Sequence, residues 1–223
     1  MNQNPNAITR SRESALASNS LIRNTYMLLS MTLLFSAVVA YVAFELRLPH
    51  PGLILSLVGM FGLLFLVHKT ANSAMGLVSV FGFTGFMGYT LGPVLNAYVG
   101  AYINGTELIV QSMVGTAAVF IGLSLYALSS RKDFSFMGGF LMVGLILIII
   151  AGIANIFLAI PALSLTISGA AVLVMSGLIL FDTSRMVHGG ETNYIRMTVN
   201  LFLDVYLLFV HLLNLLGALS GQR

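Results

Sequence analysis

Two aspartates are the residues of this chain whose position most strongly suggests chemistry. The protein has only seven acidic residues, and Asp182 and Asp204 each lie inside a long apolar run. A carboxylate at the centre of a membrane helix costs about 2.5 to 3.5 kcal/mol on insertion scales, so such a residue usually has a function. We therefore take this pair as the leading candidate for a functional site.

The segment between the two aspartates predicts a helical hairpin. A polar hinge, HGGETN at residues 188–193, separates the two apolar runs. At a rise of about 1.5 Å per residue, both carboxylates would lie roughly 10 to 16 Å inside the hinge, on adjacent helices. Two carboxylates this close cannot both ionise cheaply, so we expect them to share a proton and to titrate as one unit.

The helix that carries Asp204 has a polar stripe. At 100° per residue its polar side chains fall within about 80° of one another. One interpretation is a hydrated path or a proton-sensitive site, and the alternative is hydrogen bonding that holds helices together. The stripe consists of Asn193, Arg196, Asn200, Asp204, His211 and Asn214.

Two basic residues are possible partners for the acidic pair. Arg185 lies three residues after Asp182 on the same helical face, so a local ion pair is an alternative explanation for that aspartate. Lys69, at the end of the second apolar run, has a side chain long enough to reach a carboxylate on another helix. Neither pairing explains Asp204, whose near neighbours along its helix are neutral.

Catalytic and metal-binding motifs are missing from the sequence. It contains no HExxH, GxSxG or Walker loop, and no Cys/His set. An intramembrane aspartyl protease also uses two aspartates, but Phe181-Asp182 lacks the Tyr-Asp and Gly-x-Gly-Asp surroundings of those enzymes. We therefore expect a protein that is not an enzyme, has no firm metal site and needs no cofactor.

Composition places the chain among polytopic membrane proteins. Hydrophobic residues make up 58% and charged residues 8%, whereas a soluble domain has roughly 25% charged residues. The mean hydropathy of +0.97 agrees, and the absence of cysteine excludes disulfides and thiol chemistry. We predict an all-α bundle of seven transmembrane helices (residues 25–223) after a polar, disordered or loosely helical N-terminal tail (residues 1–24). The predicted spans are 25–46, 52–68, 74–99, 107–128, 136–159, 162–187 and 194–219.

The distribution of basic residues predicts the orientation in the membrane. A cytoplasmic N-terminus leaves only Arg47 and Arg223 outside, so the positive-inside rule favours it, with a periplasmic C-terminus after seven spans. The net charge of +3 is therefore a topology signal rather than evidence of nucleic-acid binding. The eight basic residues then inside are Arg10, Arg12, Arg23, Lys69, Arg131, Lys132, Arg185 and Arg196.

Several segments together resemble the Bax inhibitor (transmembrane Bax inhibitor motif) family. The most specific is LILFDTSRMVHGGETNYIR, which begins at Leu178 and contains Asp182 and the hinge. Other segments agree, and the resemblance covers nearly the whole chain beyond the tail. They are RNTYMLLSMTL from Arg23, PGLILSLVGM from Pro51, HKTAN from His68, GFTGFMGYTLGPVLN from Gly82 and RKDFSFMGG from Arg131.

The resemblance implies a fold, a site and partners. The fold would be a seven-helix bundle with six helices around the last one, and Asp182 and Asp204 would match the family's pH-sensing carboxylate pair. Bacterial members similar to this chain modulate the membrane-bound FtsH protease of the inner membrane, together with the HflK–HflC complex. The tail would then be the handle that the protease grips. The alternative implied function is a pH-dependent calcium or cation leak channel, with calcium as the transported ion.

Overall fold

Seven long α-helices make up nearly all of the protein. The computed structural model describes the backbone of residues 5–221 and the side chains of residues 18–221. In the described part, seven helices are long and apolar enough to cross a membrane, which confirms the predicted fold class. The helices are α1 (Pro5–Glu45), α2 (Leu53–Thr70), α3 (Met75–Ala101), α4 (Gly105–Ser130), α5 (Gly138–Leu158), α6 (Pro161–His188) and α7 (Tyr194–Ser220). A short 3-10 helix, Ser135–Met137, precedes α5.

The first helix starts well before the predicted span. α1 begins at Pro5, so residues 5–24 are helical and continue directly into the membrane segment. Of the two predicted forms of the tail, disordered or loosely helical, only the helical one agrees with this. Residues 1–4 lie outside the described residues. Proline commonly bends or ends a helix, yet α3 continues through Pro93 to Ala101.

The α6–α7 hairpin is closed by two local devices. Gly189 ends α6 at φ 74°, the left-handed conformation that glycine adopts at little cost. Asn193 then begins α7, because its side-chain oxygen accepts hydrogen bonds from the backbone N–H groups of Ile195 (2.9 Å) and Arg196 (3.1 Å). The hinge predicted from the sequence is therefore a helix stop followed by a helix cap.

The last helix is central, as predicted. α7 packs against α1, α2, α3, α4 and α6. The implied ring of six helices needs one correction, since α5 contacts only α6 and the 3-10 helix within the described residues. α5 therefore lies outside the bundle on α6, and most of its apolar side chains face outward.

Small residues bring α1 and α3 into close contact. Gly88 and Gly92 form a GxxxG step in α3. A Cβ atom added at Gly92 would lie 2.5 Å from Ala43 Cβ and 2.9 Å from the Ala40 carbonyl oxygen. Only glycine allows the two backbones to approach this closely.

The loops and helix ends lie on two opposite sides of the bundle. The hinge side comprises the α6–α7 hinge, the α2–α3 turn and the α4–α5 loop. The N-terminal part of α1 reaches the same side, where Ser18 Oγ donates to the carbonyl oxygen of Met186 at 2.8 Å. The opposite side holds the α1–α2, α3–α4 and α5–α6 connections.

Candidate functional site

Asp182 is buried in the last part of α6 and has a local cation. Its side chain is almost fully shielded, and its Oδ1 lies 3.5 Å from Arg185 Nη1, one turn further along. Arg185 is partly exposed, and its Nη2 also donates to the Gly190 carbonyl oxygen at 3.3 Å. The local ion pair considered from the sequence is therefore present, although its distance is at the long end for an ion pair.

Asp204 is equally buried and lacks a partner for one oxygen. Its Oδ2 is inaccessible and takes part in no hydrogen bond within the described residues. Leaving a buried carboxylate oxygen unpaired is costly unless it carries a proton or meets a mobile ligand. α6 and α7 pack against each other, so the two acids that the sequence singled out lie on neighbouring helices.

The polar stripe of α7 begins with a residue whose role is structural. Asn193 is structural, since its Nδ2 donates to the Ala71 carbonyl oxygen (3.0 Å) and to Asn72 Oδ1 (2.7 Å) in the α2–α3 turn. Arg196 has a buried Nε without a hydrogen-bond partner in the described part of the chain. Asn200 is half-buried between them and Asp204.

The far end of the stripe faces α6. His211 Nδ1 lies 3.2 Å from Ser168 Oγ, and Asn214 Nδ2 donates to Ser168 Oγ (2.9 Å) and Ser164 Oγ (3.2 Å). These are contacts between helices, of the kind that the alternative interpretation of the stripe expects. They also continue the polar surface from Asp204 towards the opposite side.

Lys69 is not brought to the acidic pair. It is exposed in the last turn of α2, and the ion pair of Asp182 with Arg185 is the only one among the described residues. Of the two basic candidates, the structure therefore places Arg185 at the site.

Polar residues that the sequence did not single out fix the end of α6. Ser184 Oγ accepts from the backbone N–H of Phe134 (3.0 Å) and donates to the Lys132 carbonyl oxygen (3.2 Å). His188 Nε2 lies 3.1 Å from the Arg131 carbonyl oxygen. These bonds attach the α4–α5 loop to α6 directly above Asp182. A single hydroxyl side chain in an apolar helix produces no periodic sequence pattern, so these contacts could not be predicted. Both the α4–α5 loop and the end of α6 nevertheless belong to the quoted family motifs.

The first helix also contacts the aspartate region. Tyr26 Oη lies 3.3 Å from Thr183 Oγ1, and Thr198 Oγ1 donates to the Thr25 carbonyl oxygen at 3.3 Å. Thr183 directly follows Asp182 in the chain. Movement of α6 or α7 near the carboxylates is therefore coupled to α1.

The two aspartates are the buried acids of the described chain. No group of three or more His, Asp or Glu side chains lies together within residues 18–221. Asp182 and Asp204 are buried on the packed helices α6 and α7, and Asp182 lies beside the partly exposed Arg185.

Comparison with known proteins places this geometry in a family. The family model described as "Inhibitor of apoptosis-promoting Bax1" matches residues 18–221. Proteins of two Escherichia coli strains, named "Modulator of FtsH protease YccA" and "Inner membrane protein YccA", are each 53% identical to this chain over 209 residues. Each match covers 94% of this chain and 94% of the relative. An uncharacterized Pseudomonas aeruginosa protein is 48% identical over 92% of this chain and 91% of its own length.

Proposed function

The chain belongs to the family of inhibitors of apoptosis-promoting Bax1, and from this membership we propose that it is a regulatory protein of the bacterial inner membrane that modulates an FtsH-type protease. The observation that carries the proposal is the match to a relative named for that activity, at 53% identity over 94% of both chains. Association with an HflK–HflC complex is part of the same proposal. The hinge side then faces the cytoplasm, where the basic residues concentrate.

The N-terminal part of α1 is the proposed handle for the protease. It is polar, and Ser18 attaches it to the last carbonyl groups of α6. A protease that pulls this segment must first break these bonds. The membrane-embedded part of α1 would remain anchored by its contact with α3.

Two truncations test the handle. Deleting residues 1–17 keeps Ser18, while deleting Met1 to Ser20 also removes its bonds to α6. We expect both proteins to insert, to resist degradation by FtsH, and to accumulate with the protease in co-purification and inhibit it. Turnover of both truncated proteins at the rate of the full chain would refute the handle. Failure of the full chain to co-purify with FtsH, or to alter degradation of another FtsH substrate, would refute the modulator function itself.

The intrinsic chemistry proposed for the site is proton sensing by the aspartate pair. A shared proton lets the two carboxylates approach, and its loss creates like-charge repulsion in a poorly screened environment. Arg185 is positioned to capture one freed carboxylate, because it already contacts Asp182. The result would be two discrete arrangements of α6 and α7.

A second candidate function, a pH-dependent cation leak with calcium as the transported ion, is favoured by one observation. The unpartnered Oδ2 of Asp204 lies on the same stripe as the His211 and Asn214 cluster, which extends the polar surface towards the opposite side. A hydrated path along this stripe would connect the acidic pair to the far side of the membrane.

Calcium flux into proteoliposomes tests both parts of the site proposal. Asp182→Asn and Asp204→Asn should each flatten the pH dependence of flux between about pH 5 and pH 8, and the double variant should add little because the acids act as one unit. Asp133→Asn, which changes an exposed acid in the α4–α5 loop, is the matched control. Absent wild-type flux would remove the leak, and a profile indifferent to all three substitutions at the pair would leave the acids as structural residues.

A further inference from the structure

A groove opens on the opposite side of the molecule, away from the aspartates. It encloses about 480 Å³ between the end of α1 and the second half of α3, and it is lined by Arg47, Leu48, Pro93, Asn96, Val99 and Gly100. Its rim is level with ordered tyrosines, since Tyr98 and Tyr102 stack at 5.4 Å on the same side. Tyrosines concentrate at membrane–water interfaces, so the groove lies at the depth of lipid headgroups.

Arg47 holds an unfavourable backbone conformation at this groove. Its φ of 47° is left-handed, the conformation in which glycine usually ends a helix. The turn is closed by Arg47 N–H to the Phe44 carbonyl oxygen (3.1 Å) and by Leu48 N–H to the Ala43 carbonyl oxygen (3.0 Å). These bonds use only backbone atoms, so the turn itself does not need an arginine side chain. A strained residue that the turn does not require points to a role for its side chain.

The guanidinium of Arg47 carries an unneutralised charge. Glu45, two residues before Arg47, forms no ion pair with it among the described residues. No ion pair or hydrogen bond to the Arg47 side chain occurs within the described residues. Arg47 is also an exception to the general scarcity of basic residues on this side.

The interior of the groove offers a hydrogen-bond acceptor. Asn96 uses its Nδ2 to donate to the Phe44 carbonyl oxygen at 2.8 Å, and no described hydrogen bond ends on its Oδ1. The groove therefore combines one cation, Arg47, with one free acceptor oxygen, Asn96 Oδ1.

We propose that this groove binds the phosphodiester headgroup of phosphatidylglycerol. The guanidinium pairs with the phosphate, for which its planar fork is well suited. A glycerol hydroxyl of the headgroup donates to Asn96 Oδ1, which accepts no hydrogen bond from the described residues. The acyl chains lie along the exposed apolar side chains next to the groove, including Leu46 and Val99. The open rim at headgroup depth favours a lipid over a soluble phosphate.

Native mass spectrometry of the full-length protein, titrated with phosphatidylglycerol, tests the site. Arg47→Gln should weaken binding about tenfold, the loss expected for one charge-assisted contact. Phosphatidylcholine, whose headgroup has no hydrogen-bond donor, should bind the wild type less well. Arg131→Gln is the matched control, because Arg131 also ends a helix at left-handed φ (50°) but lies on the hinge side and does not line this groove.

A further variant separates binding from folding. Arg47→Gly removes the side chain but suits the left-handed backbone, so its melting temperature should not fall while phosphatidylglycerol binding is lost. The proposal would be overturned by three results: unchanged binding in Arg47→Gln, an equal loss in Arg131→Gln, or displacement of the lipid by inorganic phosphate at equal concentration.

Discussion

Replacement of Gly88 by alanine tests whether the α1–α3 contact holds the bundle in its observed packing. A Cβ atom at Gly88 would collide with the carbonyl oxygen of Ser36 and lie 3.0 Å from its Oγ and 3.1 Å from its carbonyl carbon. Two of these three atoms belong to the backbone, so the clash cannot be relieved by a change of rotamer. The two helices would have to move apart.

The magnitude follows from a comparison with Gly82, in the same helix. A Cβ atom at Gly82 meets nothing within 4 Å, so Gly82→Ala gains only the higher helix propensity of alanine, about 0.5 to 1 kcal/mol. Gly88→Ala gains the same propensity but adds overpacking, which costs about 1 to 3 kcal/mol. The difference between the two variants therefore isolates the steric term. For a chain of this length it corresponds to roughly 2 to 12 °C in melting temperature.

The assay is thermal melting of both purified variants in the same detergent, followed by helical circular dichroism. Gly82→Ala should melt at or slightly above the wild type, and Gly88→Ala clearly below it. The close approach of α1 and α3 would be refuted if Gly88→Ala melted as high as Gly82→Ala.

Three further predictions concern the hinge side. A reporter fused after the last residue should be exported and one fused near Lys132 should stay cytoplasmic, whereas a cytoplasmic C-terminus would contradict the N-in orientation. Asn193→Ala should cost about 2 to 4 kcal/mol in melting experiments, since it loses a helix cap and two hydrogen bonds, and Asn72→Ala should cost less. Hydrogen bonds from Ser135 hold the pKa of the Asp133 carboxyl below its usual range. The stability that Asp133 contributes is therefore present at neutral pH and is lost as pH falls through that lowered pKa. An NMR titration of the carboxyl groups should find a lowered pKa for Asp133 in the wild type. The pKa should return towards its usual range when Ser135 is changed to proline, which removes both hydrogen-bond donors.

The number and order of the helices could be predicted because the membrane imposes them. Apolar runs of about 20 residues can only be helices there, and local breakers set their ends. Gly189 and Asn193 are such breakers, and the structure places the hinge where the sequence did. Pro93 shows the limit, since a proline inside a membrane helix can be tolerated when neighbouring helices compensate for the lost bond.

The position of α5 could not be predicted from its sequence. Almost every residue of α5 is apolar, so no face of the helix signals which neighbour it contacts. α7 differs, because its polar stripe is a face that can pack against other helices. Its central position was implied by the family resemblance, whereas nothing in the sequence indicated that α5 lies outside the bundle.

The candidate site was predictable in its acids and not in its supports. Asp182 and Asp204 were conspicuous because a carboxylate is rare in an apolar run. The choice between Lys69 and Arg185 depended on how α2 is placed around the bundle, which only the tertiary structure decides. The contacts of Ser184 are hidden for a different reason, because hydroxyl groups in membrane helices usually bond to their own backbone.

The central place of the last helix has a consequence for biosynthesis. Chains are synthesised from the N-terminus, and α7 is the last of the seven helices to leave the ribosome. Six helices therefore enter the membrane before the helix against which most of them pack. Until then, Asp182 and the serines of α6 that contact His211 and Asn214 face lipid or one another without their final partners. Assembly of the bundle can therefore finish only after α7 has entered the membrane, and a chain that stops short of α7 exposes polar groups that membrane quality control can recognise.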